Sequence, residues 1–99
     1  MSVIVNIQLE IVAGRREEVL GIMNPKLPDT RSYEGCHWIH LVTPIDDENR
    51  VEAISMWDSK EAYEKYFQWR IDSGAFEEIG PLMVGDPVLR FLDLKASYT

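Results

Sequence analysis

Two stretches of this chain are apolar on both of their alternating faces, and that restricts the fold more than any other feature. In residues 35–43, Cys36, Trp38, His40 and Val42 share one parity, while His37, Ile39 and Leu41 share the other. In residues 50–57, Val51, Ala53, Ser55 and Trp57 oppose Glu52, Ile54 and Met56. A strand sends successive side chains to opposite sides of its sheet, so neither side of these two strands is written for water. Between them Pro44-Ile45-Asp46-Asp47-Glu48-Asn49 is rich in residues that accept sharp corners, which joins the two strands as a hairpin.

The remaining chain is too short to cover both sides. Its 99 residues close one domain, spanning 1–99, because a second core has no room to form. Residues 2–12 alternate, with Val3, Val5, Ile7, Leu9 and Ile11 opposing Ile4, Asn6, Gln8 and Glu10. Gly14 is the expected N-cap of a helix whose first turn carries Glu17 and Glu18, where the helix dipole favours acids. Val19, Leu20, Met23 and Leu27 continue at helical spacing, and Pro25 and Pro28 should kink or divide the helix before Gly35. After the hairpin, residues 55–74 spell a strand end and a second helix. Asp58 and Glu61 fit a capping box, and Gly74 offers the left-handed residue that closes many helices. Ala75, Phe76, Ile79 and Leu82 suggest a short further helical piece, and residues 87–94 a last strand. The order β-α-β-β-α-β is the ferredoxin-like arrangement, an α+β fold with a four-stranded antiparallel sheet. Right-handed crossovers place the first and third strands at its centre and both helices on one side. The other side then needs a partner, most economically a second copy of the chain.

A formal net charge of −7 argues against nucleic acid and anionic membrane surfaces as partners, since both select basic patches. No apolar run approaches the roughly 18 residues that a membrane helix needs. Cys36 is the single cysteine, so no internal disulfide forms, and the N-terminus lacks a basic region followed by a long apolar one. Both readings lead to an expected place in the cytoplasm.

The second helix carries the chemistry. Ala62, Tyr66 and Trp69 fall on one stripe and Tyr63, Phe67 and Arg70 on the next. This arc holds hydroxyls, an indole N–H and a guanidinium, which an aliphatic core does not require. Either large amphipathic rings pack a small core with their polar tips in water, or the arc walls a pocket for a flat, oxygenated ligand. His37 and His40 are the only imidazoles, three apart in a strand, and form no local chelate. No phosphate loop, dinucleotide fingerprint or Cys/His metal spacing occurs. If the chain is an enzyme, a reaction without cofactor or metal is what remains.

Taken in order, Ile11-Val12-Ala13-Gly14-Arg15-Arg16-Glu17-Glu18-Val19, then Tyr33-Glu34-Gly35-Cys36-His37-Trp38, then Trp57-Asp58-Ser59-Lys60-Glu61-Ala62-Tyr63 resemble the antibiotic biosynthesis monooxygenase family of dimeric α+β barrels. The likeness runs from about Val3 to Leu94, and residues 66–76 look like its quinol monooxygenase subgroup. The resemblance implies a homodimer that oxidises an electron-rich aromatic (a quinol, anthrone or polycyclic phenol) with O2 and no cofactor. Trp57, Trp69 and Tyr66 would form the slot, with Tyr63, Phe76 and Trp38 lining it. His40 would serve as base, and Arg70 or the Tyr66 hydroxyl would hold the oxyanion. Each residue has a plainer alternative: Trp57 as core, His40 as a satisfied or exposed histidine, Arg70 as a complement to its helix C-terminus. A binding module that does not turn its ligand over, and a muconolactone-type isomerase, stay open. The chain also departs from the family. Ser55 stands where many relatives carry an acid, and Tyr66 where many carry a His. The Asn of haem-degrading relatives falls on Ile7, and the stretch of their axial His reads Phe76-Glu77-Glu78-Ile79-Gly80. Haem degradation is therefore not expected.

Overall fold

A computed structural model describes residues 2–99. Strand β1 (Val3–Glu10) leads through a turn into helix α1 (Arg16–Met23), a single 3-10 turn (Asn24–Lys26) and helix α2 (Leu27–Ser32). Strands β2 (Cys36–Val42) and β3 (Arg50–Trp57) form the hairpin. Helices α3 (Lys60–Asp72) and α4 (Ala75–Ile79), a 3-10 turn (Gly80–Leu82) and strand β4 (Val88–Asp93) complete the chain. The four strands form one antiparallel sheet in the order β2-β3-β1-β4, the ferredoxin-like α+β arrangement. No helix among the described residues is long and apolar enough to cross a membrane.

Local chemistry accounts for most boundaries. Pro25 and Pro28 carry no N–H, so the bonds to the carbonyls four residues earlier are lost. The Leu27 N–H reaches the Asn24 carbonyl instead, and the expected division of the first helix follows. Gly74 does take the left-handed conformation, between α3 and α4. Two expected caps move by one residue. Ser59, not Asp58, is the N-cap of α3, its Oγ accepting from the Ala62 N–H at 3.1 Å. Asp58 is drawn aside by His37, whose Nε2 lies 2.6 Å from its carboxylate. Arg15 rather than Gly14 is the N-cap of α1, and no side chain caps it.

One irregularity decides which side chains meet the helices. Cys36 stands opposite Trp57 but Trp38 stands opposite Met56, so β2 carries an extra residue at His37. Such a bulge reverses the parity of everything that follows. Cys36, Ile39 and Leu41 therefore face the helices, opposite Trp57, Ser55 and Ala53, while Trp38 and His40 face away beside Met56 and Ile54. The expectation that Cys36, Trp38 and His40 share a side is corrected by this one residue.

The helix-covered side holds two buried clusters. One joins Ile7, Leu9, Ile11, Val51 and Ala53 to Val19, Ile79 and Leu82, and the other gathers Val3, Val5, Cys36, Trp57 and Tyr63. Among the described residues no helix covers the opposite side of the sheet. It presents Ile4, Ile54, Met56 and Leu92, with Trp38 stacked on His40 at 5.0 Å between ring centroids. A polar lane crosses it, where Gln8 donates to Asn6 at 2.6 Å and Asn6 donates to Glu52 at 3.2 Å.

Gly35 lets α3 sit directly on the start of β2. Its φ is 94°, and a Cβ there would lie 2.9 Å from the Ala62 Cβ. Gly35→Ala should destabilise the fold by about 2 kcal/mol through left-handed strain and this clash. Urea denaturation checks this, and a stability within about 0.5 kcal/mol of wild type would contradict the close approach.

Candidate functional site around a buried arginine

A cavity of about 80 Å³ opens between the sheet and the helices where the two core clusters meet. Ile7, Leu9, Ala53 and Ser55 form its floor, with Ile39 at one edge. Ile22, Met23, Leu27 and Thr30 make one wall, and Tyr63, Tyr66, Phe67, Arg70 and Phe76 the other. Apart from Ser55 on β3, the polar groups of the lining gather where α3 meets α2 and the turn before it. Spacing along α3 explains the gathering, since Tyr63, Tyr66, Phe67 and Arg70 lie three and four residues apart on its inner side.

Arg70 is the centre of that group and is only 8 % exposed. Its Nε donates to the Tyr66 hydroxyl at 3.0 Å, and its Nη2 donates to the Lys26 carbonyl at 2.6 Å and to Thr30 Oγ1 at 2.9 Å. Thr30, 1 % exposed, brings its hydroxyl within 2.7 Å of that of Tyr66. The guanidinium carbon lies 4.6 Å from the Trp69 ring centre and 5.5 Å from that of Tyr66, cation–π contacts that favour a cation held out of water. Every one of these partners is uncharged. Among the described residues no carboxylate lies within ion-pairing distance of Arg70, whereas Lys26 is paired with Glu78 at 2.8 Å. Buried cations are ordinarily matched by an anion, so this one is unusual.

Two further hydroxyls shape the cavity. Ser55 is 2 % exposed and its Oγ accepts from the Trp57 indole N–H at 2.8 Å, which fixes the indole. Burial pushes the Tyr63 phenol well above the ordinary tyrosine range, with the neighbouring Tyr66 adding to the shift. Burial thus makes Tyr63 harder to ionise than an ordinary tyrosine.

The residues singled out from the sequence are divided by the fold. Tyr63, Tyr66, Arg70 and Phe76 meet on the cavity. Trp57 is fully buried behind Tyr66, at 4.9 Å between ring centroids, and packs as core. Trp69 lies outside the cavity wall, 38 % exposed, covering Arg70 and Tyr33. His40 and Trp38 lie across the sheet, so the structure does not bring His40 together with Tyr66 and Arg70. Ile7 lines the cavity, while Asn6 lies across the sheet on Glu52. Thr30 and the Lys26 carbonyl were not anticipated, because their role depends on α2 meeting α3 about forty positions away in the chain. Ser55 carries a legible signal, a lone hydroxyl on the side of Val51, Ala53 and Trp57, but its sequence position alone gives it no role in the site.

Among known proteins, the model of a family described as antibiotic biosynthesis monooxygenase matches residues 2–71. Solved structures share the fold throughout. The Rv0793 protein of Mycobacterium tuberculosis aligns with a TM-score of 0.84 at 14 % identity, covering 100 % of both chains. A structure named antibiotic biosynthesis monooxygenase aligns at 0.82 and 17 % identity, covering 95 % of this chain and 99 % of the other. A mutant of MhuD, solved with two manganese protoporphyrin IX molecules per active site, aligns at 0.82 and 19 % identity, covering 98 % of each. At such low identity these likenesses establish the fold alone. Comparison with curated proteins gives no match.

Thr30 joins α2 to α3, so its hydroxyl should matter to stability. Thr30→Val keeps the shape and leaves Arg70 Nη2 and the Tyr66 hydroxyl each short of a partner, a loss of about 1–3 kcal/mol. Thr30→Ser keeps the oxygen and should cost less. Equal stabilities of the two variants in urea denaturation would contradict the network.

Proposed function

We infer a function from one premise, that the chain belongs to the antibiotic biosynthesis monooxygenase family, whose model spans residues 2–71. That membership supports a general monooxygenase-like role. The finer reading is a cofactor-independent oxidation of an electron-rich aromatic by O2 in the cavity beside Arg70. Phe67, Phe76, Met23 and Leu27 hold the flat ring and keep water away from it. Arg70 and the Tyr66 hydroxyl hold the ring oxygen and stabilise its negative charge. The phenolate or enolate passes an electron to O2, and the radical and superoxide combine at a ring carbon. Loss of water from that peroxide leaves a carbonyl, so one O2 yields one quinone oxygen and one water.

The observation that carries this reading is the buried guanidinium at the wall of a largely apolar slot. A second reading, binding of an aromatic metabolite without turnover, draws on another observation: among the described residues no imidazole or carboxylate lines the cavity. Oxygen uptake with anthrones and hydroquinones separates the two. On the first reading, uptake is measurable, and Tyr66→Phe lowers turnover on the order of 10²-fold while costing about 1 kcal/mol of stability. Binding with no uptake across the panel would support the module instead.

The helix-free side of the sheet calls for a cover, and a homodimer is its proposed form. Ile4, Ile54, Met56, Leu92 and the Trp38–His40 stack then meet their counterparts on a second copy. Light scattering at micromolar concentration should give twice the chain mass of 11.4 kDa, and a monomer would overturn the pairing. Asp or Lys at Ile54, in the middle of that surface, should split the dimer.

A further inference from the structure

We propose that the cavity selects a ligand that is already ionised, an acidic phenol or enol whose anionic oxygen is taken by the free Nη1 of Arg70. This rests on the reading of the cavity as an aromatic site and does not depend on oxygen chemistry. The hydrogen bonds of the guanidinium carry the first half of the case. Its Nε and Nη2 are taken by Tyr66, Thr30 and the Lys26 carbonyl, so every N–H on that edge has an acceptor. Nη1 carries two more N–H bonds and has no acceptor among the described residues. No side-chain nitrogen or oxygen there is both sealed from solvent and without a partner. Nη1 is therefore not sealed from solvent, and Arg70 lines the cavity.

Charge carries the second half. The chain has 17 acidic residues, and among the described residues none is placed against this buried cation. The protein has bonded the guanidinium into position with neutral oxygens and left its charge unmatched. An incoming anion would supply the match in a medium of low dielectric, where one oxyanion contact is worth far more than in water.

The cavity also lacks the means to create that anion from a neutral ligand. Its titratable side chains are Lys26, Tyr63, Tyr66 and Arg70. Lys26 is held by Glu78, burial drives the Tyr63 phenol still further from ionisation, and the Tyr66 hydroxyl is engaged by Thr30 and Arg70. His40 lies on the far side of the sheet. With no base at hand, the ligand loses its proton to solvent, and the pocket captures the ionised form.

The test uses the wild-type chain under nitrogen with 4-nitrophenol, 4-cyanophenol and phenol, in decreasing order of acidity. Calorimetric titrations across pH should give affinities that rise with ionisation of the ligand, with a midpoint that moves from one phenol to the next. The phenolate should bind at least tenfold more tightly than the phenol, which lowers the apparent midpoint of bound 4-nitrophenol by about one pH unit. Nitrophenolate absorbance reads that shift directly. Arg70→Gln should abolish both effects. A midpoint that stays fixed as the phenol changes would mean that a protein group, including one from a second subunit, removes the proton, and would overturn the proposal. Equal affinity for both forms in wild type would overturn it as well, whether or not the variant folds. Because no oxygen is present, either result stands apart from any failure of oxygenase activity.

Discussion

The guanidinium of Arg70 is the interaction on which the arrangement of α2, α3 and the cavity depends. It crosses from α3 to the Lys26 carbonyl just ahead of α2 and to the Thr30 side chain within it, and it steadies Tyr66 on its own helix. An aliphatic side chain at this position would let the helices close on the sheet and fill the gap. A hydrogen-bonded cation cannot be packed over in that way, because removing its remaining N–H bonds from any acceptor is costly. The cavity is therefore a consequence of polar satisfaction as much as of shape. Replacement of a buried charge by apolar groups is often neutral or stabilising elsewhere, so stability alone is a weak reason for Arg70. Recognition of an anion is a stronger one.

The sheet separates two kinds of apolar surface. On its helix side the side chains of β1 and β3 are almost wholly buried, with Leu9, Val5 and Val51 at 1 % exposure or less. On the other side Ile54, Met56 and Trp38 are only half-buried. The bulge at His37 sets this division for β2, since it turns Ile39 inward to the cavity and Trp38 outward. A single inserted residue thus decides which aromatic rings can serve the pocket and which are left for contact with another surface.

Much of the fold was legible. Alternation marked β1 within a residue or two, an apolar run after a turn-rich segment marked β3, and the two prolines marked the break between α1 and α2, because these signals are local consequences of backbone geometry. The parity of β2 was not legible, since nothing in Gly35-Cys36-His37-Trp38 distinguishes a bulge from regular strand. The capping of α3 was misplaced by one residue because Asp58 and Ser59 are both competent caps; Ser59 takes the Ala62 N–H, while the Asp58 carboxylate lies against His37. In the site, Tyr66 and Arg70 stand out by chemical type on two adjacent stripes of α3. Thr30 does not, as its role exists only once α2 and α3 touch. His40 was placed by its acid–base character, which carries no information about the side of the sheet it occupies.

The most direct measurement is heteronuclear NMR of the Arg70 Nε–H, titrated with benzoate and separately with benzyl alcohol, which is similar in shape and uncharged. The expected result is a slowly exchanging Arg70 signal in the free protein that shifts in a saturable way with benzoate and far less with benzyl alcohol. If benzoate leaves Arg70 unmoved, or the two ligands shift it equally, the buried guanidinium is a structural tether and the cavity does not recognise an anion.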